Sequence, residues 1–245
     1  MINGLPGKGI FFGNMKGGVG KSTLCMFTVD MLKTIKPELD IMMIDTDPQA
    51  TSSSMMKGLL PEDRIRFMPI GDRFDGAVLS TIDGVIKSHL MDEDSIVIID
   101  SAAGRIGNIW QVALLCNTMI IPTSLSWTDM APTIDYIAEI DSRKVDYDSI
   151  TPHIIVVPNR MSPNQKDYSQ LYNKVGELNV VIAPPVCDYS VVRHSSHNFL
   201  GLKSVEQTRF YGEIEKLAQF ITSHVLTGKL DSIYEESISL SLIHI

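Results

Sequence analysis

The sequence predicts an α/β fold, with a mostly parallel, twisted central β-sheet flanked by helices on both faces, and three observations carry that expectation. Short apolar runs without polar interruption recur along the chain, as suits strands buried on both faces. Stretches with apolar residues at helical spacing fall between them, which implies βαβ units joined by right-handed crossovers. Two of the runs end in aspartate, Asp45 and Asp100. With 245 residues, 44% of them hydrophobic, the chain can bury one large core, and a single domain over 1–245 is expected.

Taken in order, the first run is Gly9-Ile10-Phe11-Phe12-Gly13, which leads into a glycine-rich loop. Residues 23–35 then carry Leu24, Phe27, Met31 and Leu32 at helical spacing, so strand, loop and helix follow one another. Ile41-Met42-Met43-Ile44 and Ile96-Val97-Ile98-Ile99 are the second and third runs. Residues 119–122, 153–158 and 180–183 read as further strands, and 131–140, 165–178 and 205–225 as helices. The stretch 49–73 mixes Ser, Met, Pro and charges and reads as mostly irregular. The tail 230–245 holds acids and apolar residues without Lys or Arg, so it lacks the basic face of a membrane-anchoring helix. An edge strand, a packed helix or a partner contact all remain open for it.

The loop between the first strand and helix is Lys16-Gly17-Gly18-Val19-Gly20-Lys21-Ser22-Thr23. Its glycines allow a tight turn whose N–H groups converge beside the positive end of the helix, a geometry that binds phosphate. Lys21 can reach the outer phosphates, the Ser22 hydroxyl can ligate a Mg²⁺ that bridges them, and Thr23 continues the helix start. The pattern GxxxxGK[ST] wants glycine at position 15, where this chain has Met15.

KGGVGKST, with its additional lysine, resembles the deviant Walker A motif of the ParA/MinD family of P-loop ATPases. The resemblance implies that ATP and Mg²⁺ are the cofactors and that Lys16 crosses the interface of a nucleotide-sandwich homodimer to reach the other subunit's phosphates. A cation there would lessen the charge built up in phosphoryl transfer. Asp45-Thr46-Asp47-Pro48-Gln49 looks like the family's switch I, which implies that Asp45 holds the Mg²⁺ water shell and that Asp47 positions the attacking water. Two carboxylates at a strand end can also cap a helix, and that alternative stands beside the first. Asp100 looks like the Walker B carboxylate, reaching the metal through water, although Ser101-Ala102-Ala103-Gly104 departs from the family's DTPP. Lys16, Lys21 and Asp47 are thus the implied catalytic residues, and Ser22, Asp45 and Asp100 the implied metal site. Val157-Pro158-Asn159-Arg160 resembles the adenine-contacting segment, with Asn159 and Arg160 at the nucleotide and the region of Pro184 as the opposite wall. A guanine-reading NKxD would need Asp where the chain has Ser162, so ATP is expected.

A net charge of −8 excludes a chain coated for nucleic acid, leaving only a local basic patch. Arg193, Lys203, Arg209 and Lys216 are the candidate DNA contacts, interrupted by Glu206, Glu213 and Glu215, so an ordinary solvated helix face is the alternative. Cys25, Cys116 and Cys187 are far apart and without a CxxC pair, which fits buried thiols in a reducing compartment. Ala103 stands where nitrogenase iron proteins, which share the fold, have a cluster cysteine. No apolar segment reaches the roughly 18 residues a spanning helix needs, and no leader pattern is seen. The expectation is a cytoplasmic protein, nucleoid-associated if it binds DNA, with no stable membrane insertion. No helix-turn-helix pattern precedes the loop, so the short ParA proteins are the implied relatives: an ATP-driven dimer on nonspecific DNA, reset when a ParB-like or other partner stimulates hydrolysis, for plasmid or chromosome partition. The alternative is a MinD-like use of the same switch on a protein cargo or at a membrane.

Overall fold

The structure is a computed structural model that describes residues 4–71, 76–104, 109–146, 152–165, 167–176, 178–189 and 209–229. Its elements are β1 (Lys8–Phe12), α1 (Lys21–Ile35), β2 (Asp40–Asp45), α2 (Thr51–Met55), β3 (Ile65–Phe67), α3 (Gly76–His89), β4 (Ser95–Asp100), α4 (Ile109–Ala113), β5 (Thr118–Thr123), α5 (Trp127–Asp146), β6 (His153–Met161), α6 (Ser169–Val175), β7 (Val181–Ile182), β8 (Val186–Cys187) and α7 (Arg209–Ile221). The sheet runs β3-β2-β4-β1-β5-β6-β7, with β8 beside the far end of β6, and every pairing is parallel.

The apolar runs are strands buried on both faces because successive side chains leave the sheet on opposite sides. Ile10 and Phe12, Ile41 and Met43, and Ile96 and Ile98 join one core, which α1 and α7 cover. Phe11, Met42, Ile44, Val97 and Ile99 join the other, under α3, α4, α5 and α6. A strand walled on both sides cannot show polar alternation, so its sequence reads as a continuous apolar run.

Several boundaries and one segment differ from expectation. The 49–73 stretch is not mostly irregular: it holds α2, a 3-10 turn at Glu62–Arg64 and the edge strand β3. α2 is a single turn whose Ser53 N–H donates to Asp45 Oδ2 (2.8 Å), so a long-range cap and not periodicity fixes it. β3 is three residues long, half-exposed to exposed, and held by its pairing to Met43, Ile44 and Asp45. Helices α3 and α4 have no counterpart among the expected helices, and β6 runs on through Met161, beyond the end at 158 that the apolar run implies. The helix expected over 165–178 contracts to α6, and that over 205–225 is α7 followed by a π-helical turn at Thr222–Leu226, with 205–208 outside the described residues. The tail 230–245 lies outside them as well.

Candidate functional site

Parallel strands bring the β1–α1 loop, Asp45, Asp100 and the end of β6 to one edge of the sheet. Phe12 pairs with Asp100 and Asp100 with Asp45, so the loop that leaves β1 emerges beside both carboxylates. Thr46 fastens the two strand ends together, donating its N–H (2.9 Å) and its hydroxyl (3.0 Å) to the Asp100 carbonyl.

The phosphate loop is braced from below by a residue the sequence reading passed over. Asn14 is buried and donates from Nδ2 to the Pro122 carbonyl (2.8 Å) and Thr133 Oγ1 (2.9 Å), while its Oδ1 accepts the Lys16 N–H (2.9 Å). A polar amide directly after Phe11-Phe12-Gly13 was the available signal, since a buried polar group at a strand end must find partners. Above this brace Gly20 opens α1 at φ 91°, with no side chain capping the helix start. The first turn of α1 therefore keeps N–H groups for an anion. A Cβ at Gly20 would also lie 2.5 Å from Asn159 Nδ2, so this position requires glycine on two grounds.

Lys21 is buried and its Nζ donates to the Lys16 carbonyl (3.4 Å). Burial lowers its pKa, against the opposing pull of Asp100 and Asp47. The ammonium of Lys16, half-buried at the loop rim, has no hydrogen-bond or ion-pair partner among the described residues.

The carboxylates differ sharply. Asp45 is satisfied: Oδ1 accepts the Asp47 N–H (3.0 Å) and Oδ2 the Ser53 N–H, so it does cap α2. Asp47, half-buried, accepts the Gln49 N–H (2.9 Å). Asp100 is fully buried and neither oxygen has a hydrogen-bond partner among the described residues. Burial pushes it up to about 7; the Ser22 and Ser52 hydroxyls, near but outside hydrogen-bond geometry, and Lys21 only partly oppose that, and Asp45 adds to it. An orphaned carboxylate beside the Ser22 hydroxyl fits a hydrated divalent cation, which would supply the missing partner. The 101–104 segment follows directly: Ser101 and Ala102 are buried, and Ala103 faces Gly17, where an added Cβ would sit 3.6 Å from it. Gly104 turns at φ 101°, and 105–108 lie outside the described residues.

On the far side of the loop is a cavity of about 310 Å³. Gly18, Gly20 and Thr23 form one wall and Asn159 and Arg160 another. Residues 186–189, which begin with the strand paired with β6, and Phe210 also line it; Pro184 is not among the lining residues. Asn159 Nδ2 donates to the Val19 carbonyl (2.8 Å) and Arg160 Nη1 to the Gly18 carbonyl (2.6 Å). Arg160 sits at φ 58° where the β6–β8 register slips between Asn159 and Met161, a strained bulge that turns its side chain onto the loop.

A nucleotide-binding family model, described as CobQ/CobB/MinD/ParA nucleotide binding domain, matches residues 10–197. The chain belongs to that family. No curated protein matches this chain in sequence. Among solved structures it is similar to the MinD cell division protein of Aquifex aeolicus (TM-score 0.67, 15% identity, 89% of this chain and 97% of that one). It is also similar to a Borrelia burgdorferi B31 protein assigned to plasmid partition and bound to AMPPNP (0.66, 16%, 88% and 98%). A third is the septum site-determining MinD of Pyrococcus horikoshii OT3 with Mg-ADP (0.64, 16%, 90% and 98%). Likeness at this identity shows the fold, a parallel-sheet P-loop ATPase architecture.

The remaining sequence candidates are on α7 or outside the described residues, and Arg209 is near enough to Cys187 to act on its thiol. Arg209 and Lys216 are exposed on α7, seven residues apart and so on one face, with exposed Glu215 next to Lys216. Arg193 and Lys203 lie outside the described residues. Among the described residues no helix is long and apolar enough to cross a membrane.

Proposed function

We propose that this ParA/MinD-family domain is an ATP-driven dimerisation switch that hydrolyses ATP with Mg²⁺, binds DNA nonspecifically as the dimer, and serves plasmid or chromosome partition with a ParB-like or other activating partner. The whole chain is read as a single ATPase domain. The observation that carries the switch is Lys16: its backbone is pinned through buried Asn14 while its ammonium, at the loop rim, has no partner among the described residues. A cation so presented serves a phosphate outside its own loop.

In the proposed mechanism the α1 N–H groups and Lys21 hold the triphosphate, and Ser22, Asp45 and Asp100 hold the metal. Mg²⁺ would neutralise charge on the phosphate oxygens as the terminal bond breaks. Asp47, half-buried and accepting the Gln49 N–H, orients the attacking water. Lys16 from the second subunit then stabilises charge in the transition state. Asn159 and Arg160 bear on the nucleotide from β6, with Pro184 in the loop beyond β7.

The DNA arm of this reading is supported by exposed Arg209 and Lys216. A second reading, a protein cargo or membrane-process switch, is favoured by the acids that share α7 and by the net charge of −8. The deciding experiment is the mass in solution of wild type, Lys16→Ala and Asp47→Ala with Mg²⁺, with and without ATP. ATP should drive a dimer that Lys16→Ala cannot form and that Asp47→Ala prolongs. Masses unaffected by ATP would sink the switch. Salt-sensitive, ATP-dependent DNA binding separates the partition reading from the cargo one.

A further inference from the structure

The wall of the cavity beside Asn159 is short. β8 is only Val186–Cys187, paired with β6 at Asn159 and Met161, and the Asp188 N–H donates to the Met161 carbonyl (2.7 Å). A second hold on this wall comes from α7. Glu213 Oε2 accepts the Cys187 N–H (2.8 Å) and Oε1 accepts the Tyr189 hydroxyl (3.0 Å), so one carboxylate bridges backbone and side chain of the same wall.

α7 is in turn seated on α1, the helix that begins in the phosphate loop. Phe210 meets Phe27 edge to face with ring centroids 4.7 Å apart, and the Tyr211 hydroxyl donates to Asp30 Oδ2 (2.9 Å). Phe210 also lines the cavity and meets Tyr189 edge-on at 6.0 Å. The wall is therefore referenced to α1 through α7, and Glu213 is the polar link in that chain. Burial and the Glu213 charge push the Cys187 thiol up to about 11 and the Tyr189 phenol higher, so Tyr189 remains a hydrogen-bond donor at neutral pH.

We propose that Glu213 is a positioning residue for nucleobase selection: by holding Cys187 and Tyr189 it sets the wall against which the base of a nucleoside triphosphate is read, while the grip on the phosphates stays with the 16–23 loop. The inference rests on the reading of this cavity as the base end of the nucleotide site. A carboxylate suits the task because both of its oxygens accept. A glutamine there offers one acceptor and one NH₂, and the NH₂ would confront a donor. An alanine leaves two donors without their partner.

The test is competition of ATP, GTP and inorganic tripolyphosphate, each with Mg²⁺, against a fluorescent ATP analogue on wild type, Glu213→Gln, Glu213→Ala and Tyr189→Phe. Wild type should prefer ATP to GTP and both to tripolyphosphate. Loss of a charge-assisted bond predicts ATP affinity about tenfold weaker in both Glu213 variants, with tripolyphosphate within about twofold of wild type. The ratio of ATP to GTP affinity should fall toward one. Tyr189→Phe, which removes a single hydroxyl, should move the ratio the same way by about threefold and decides the matter if the Glu213 variants do not fold. An unchanged ratio, or tripolyphosphate binding weakened as much as ATP, would overturn the positioning role. A wild type that binds tripolyphosphate as well as it binds ATP would overturn the reading of the cavity itself, a different and recognisable failure.

Discussion

Replacing Asp100 with asparagine should stabilise the nucleotide-free protein by an amount that grows with pH. The carboxylate is fully buried without a hydrogen bond among the described residues, and burial moves it from 3.8 to about 7. Between those two values an acid whose pKa is raised on folding is protonated in the folded chain and ionised in the unfolded one. Its contribution to stability is complete below the lower value and is lost as pH rises through the higher. The whole shift is worth on the order of 4 kcal/mol at about 1.36 kcal/mol per pKa unit. Of this, about 2 kcal/mol should disappear between pH ~5.5 and ~8, with little change above. An asparagine is neutral throughout, so the difference in unfolding free energy between Asp100→Asn and wild type should widen in the variant's favour by that amount and then level. Urea unfolding of both proteins without Mg²⁺ or nucleotide measures it, and taking the difference cancels the other titrating groups. With saturating Mg²⁺ and ATP the order should reverse, because binding to the ionised carboxylate then stabilises only wild type. A metal-free difference independent of pH would refute the claim that the buried charge of Asp100 is what is costly.

Gly20→Ala and Gly18→Ala separate backbone strain from steric conflict. Both sit at left-handed φ, 91° and 77°, which costs an alanine about 1–2 kcal/mol, but only position 20 also meets Asn159 Nδ2. Gly18→Ala should therefore lose about 1–2 kcal/mol of stability in urea unfolding and Gly20→Ala clearly more; equal losses would argue against the Asn159 contact. Asn14→Ala removes the acceptor of the Lys16 N–H and leaves buried partners unsatisfied, so it should cost about 2–4 kcal/mol in urea unfolding and weaken ATP-driven dimerisation. A stable variant that still dimerises would show that the brace does not present Lys16.

The parallel sheet and its two helical layers were legible because Ile10, Val97 and their neighbours obey a pattern that burial on both faces enforces. The phosphate loop was legible because its glycines and Lys21-Ser22 meet backbone constraints within a few residues of one another. What escaped was held by contacts distant in sequence. α2 exists through a cap from Asp45, eight residues upstream, and β3 through its pairing to β2. Asn14 bonds Pro122 and Thr133, more than a hundred residues away, and Glu213 reaches residues 187 and 189 from α7. Glu213 could be read in the sequence only as an acid diluting a basic helix; its neighbours in space give it a different part.

Asp45 caps α2, one of the two parts that the sequence left open for it, and that bears on how the proposed switch could move. Its carboxylate caps α2, yet each oxygen that accepts an N–H still has a lone pair, so capping and facing a hydrated cation are compatible. The two strand-end carboxylates, neighbours in register, are thereby made unequal. Asp45 accepts two N–H groups, whereas Asp100 has no hydrogen-bond partner among the described residues and burial pushes its pKa up to about 7. A cation at this pair would give Asp100 a partner without disturbing α2. Any displacement of Asp45 would break the cap of a helix only five residues long. In the proposed switch a nucleotide-dependent change in switch I is therefore easier to route through Asp47, which is half-exposed and among the described residues is tied by its side chain to Gln49. On that proposal Asp45 and Asp100 would be the fixed frame and Asp47 the carboxylate free to move.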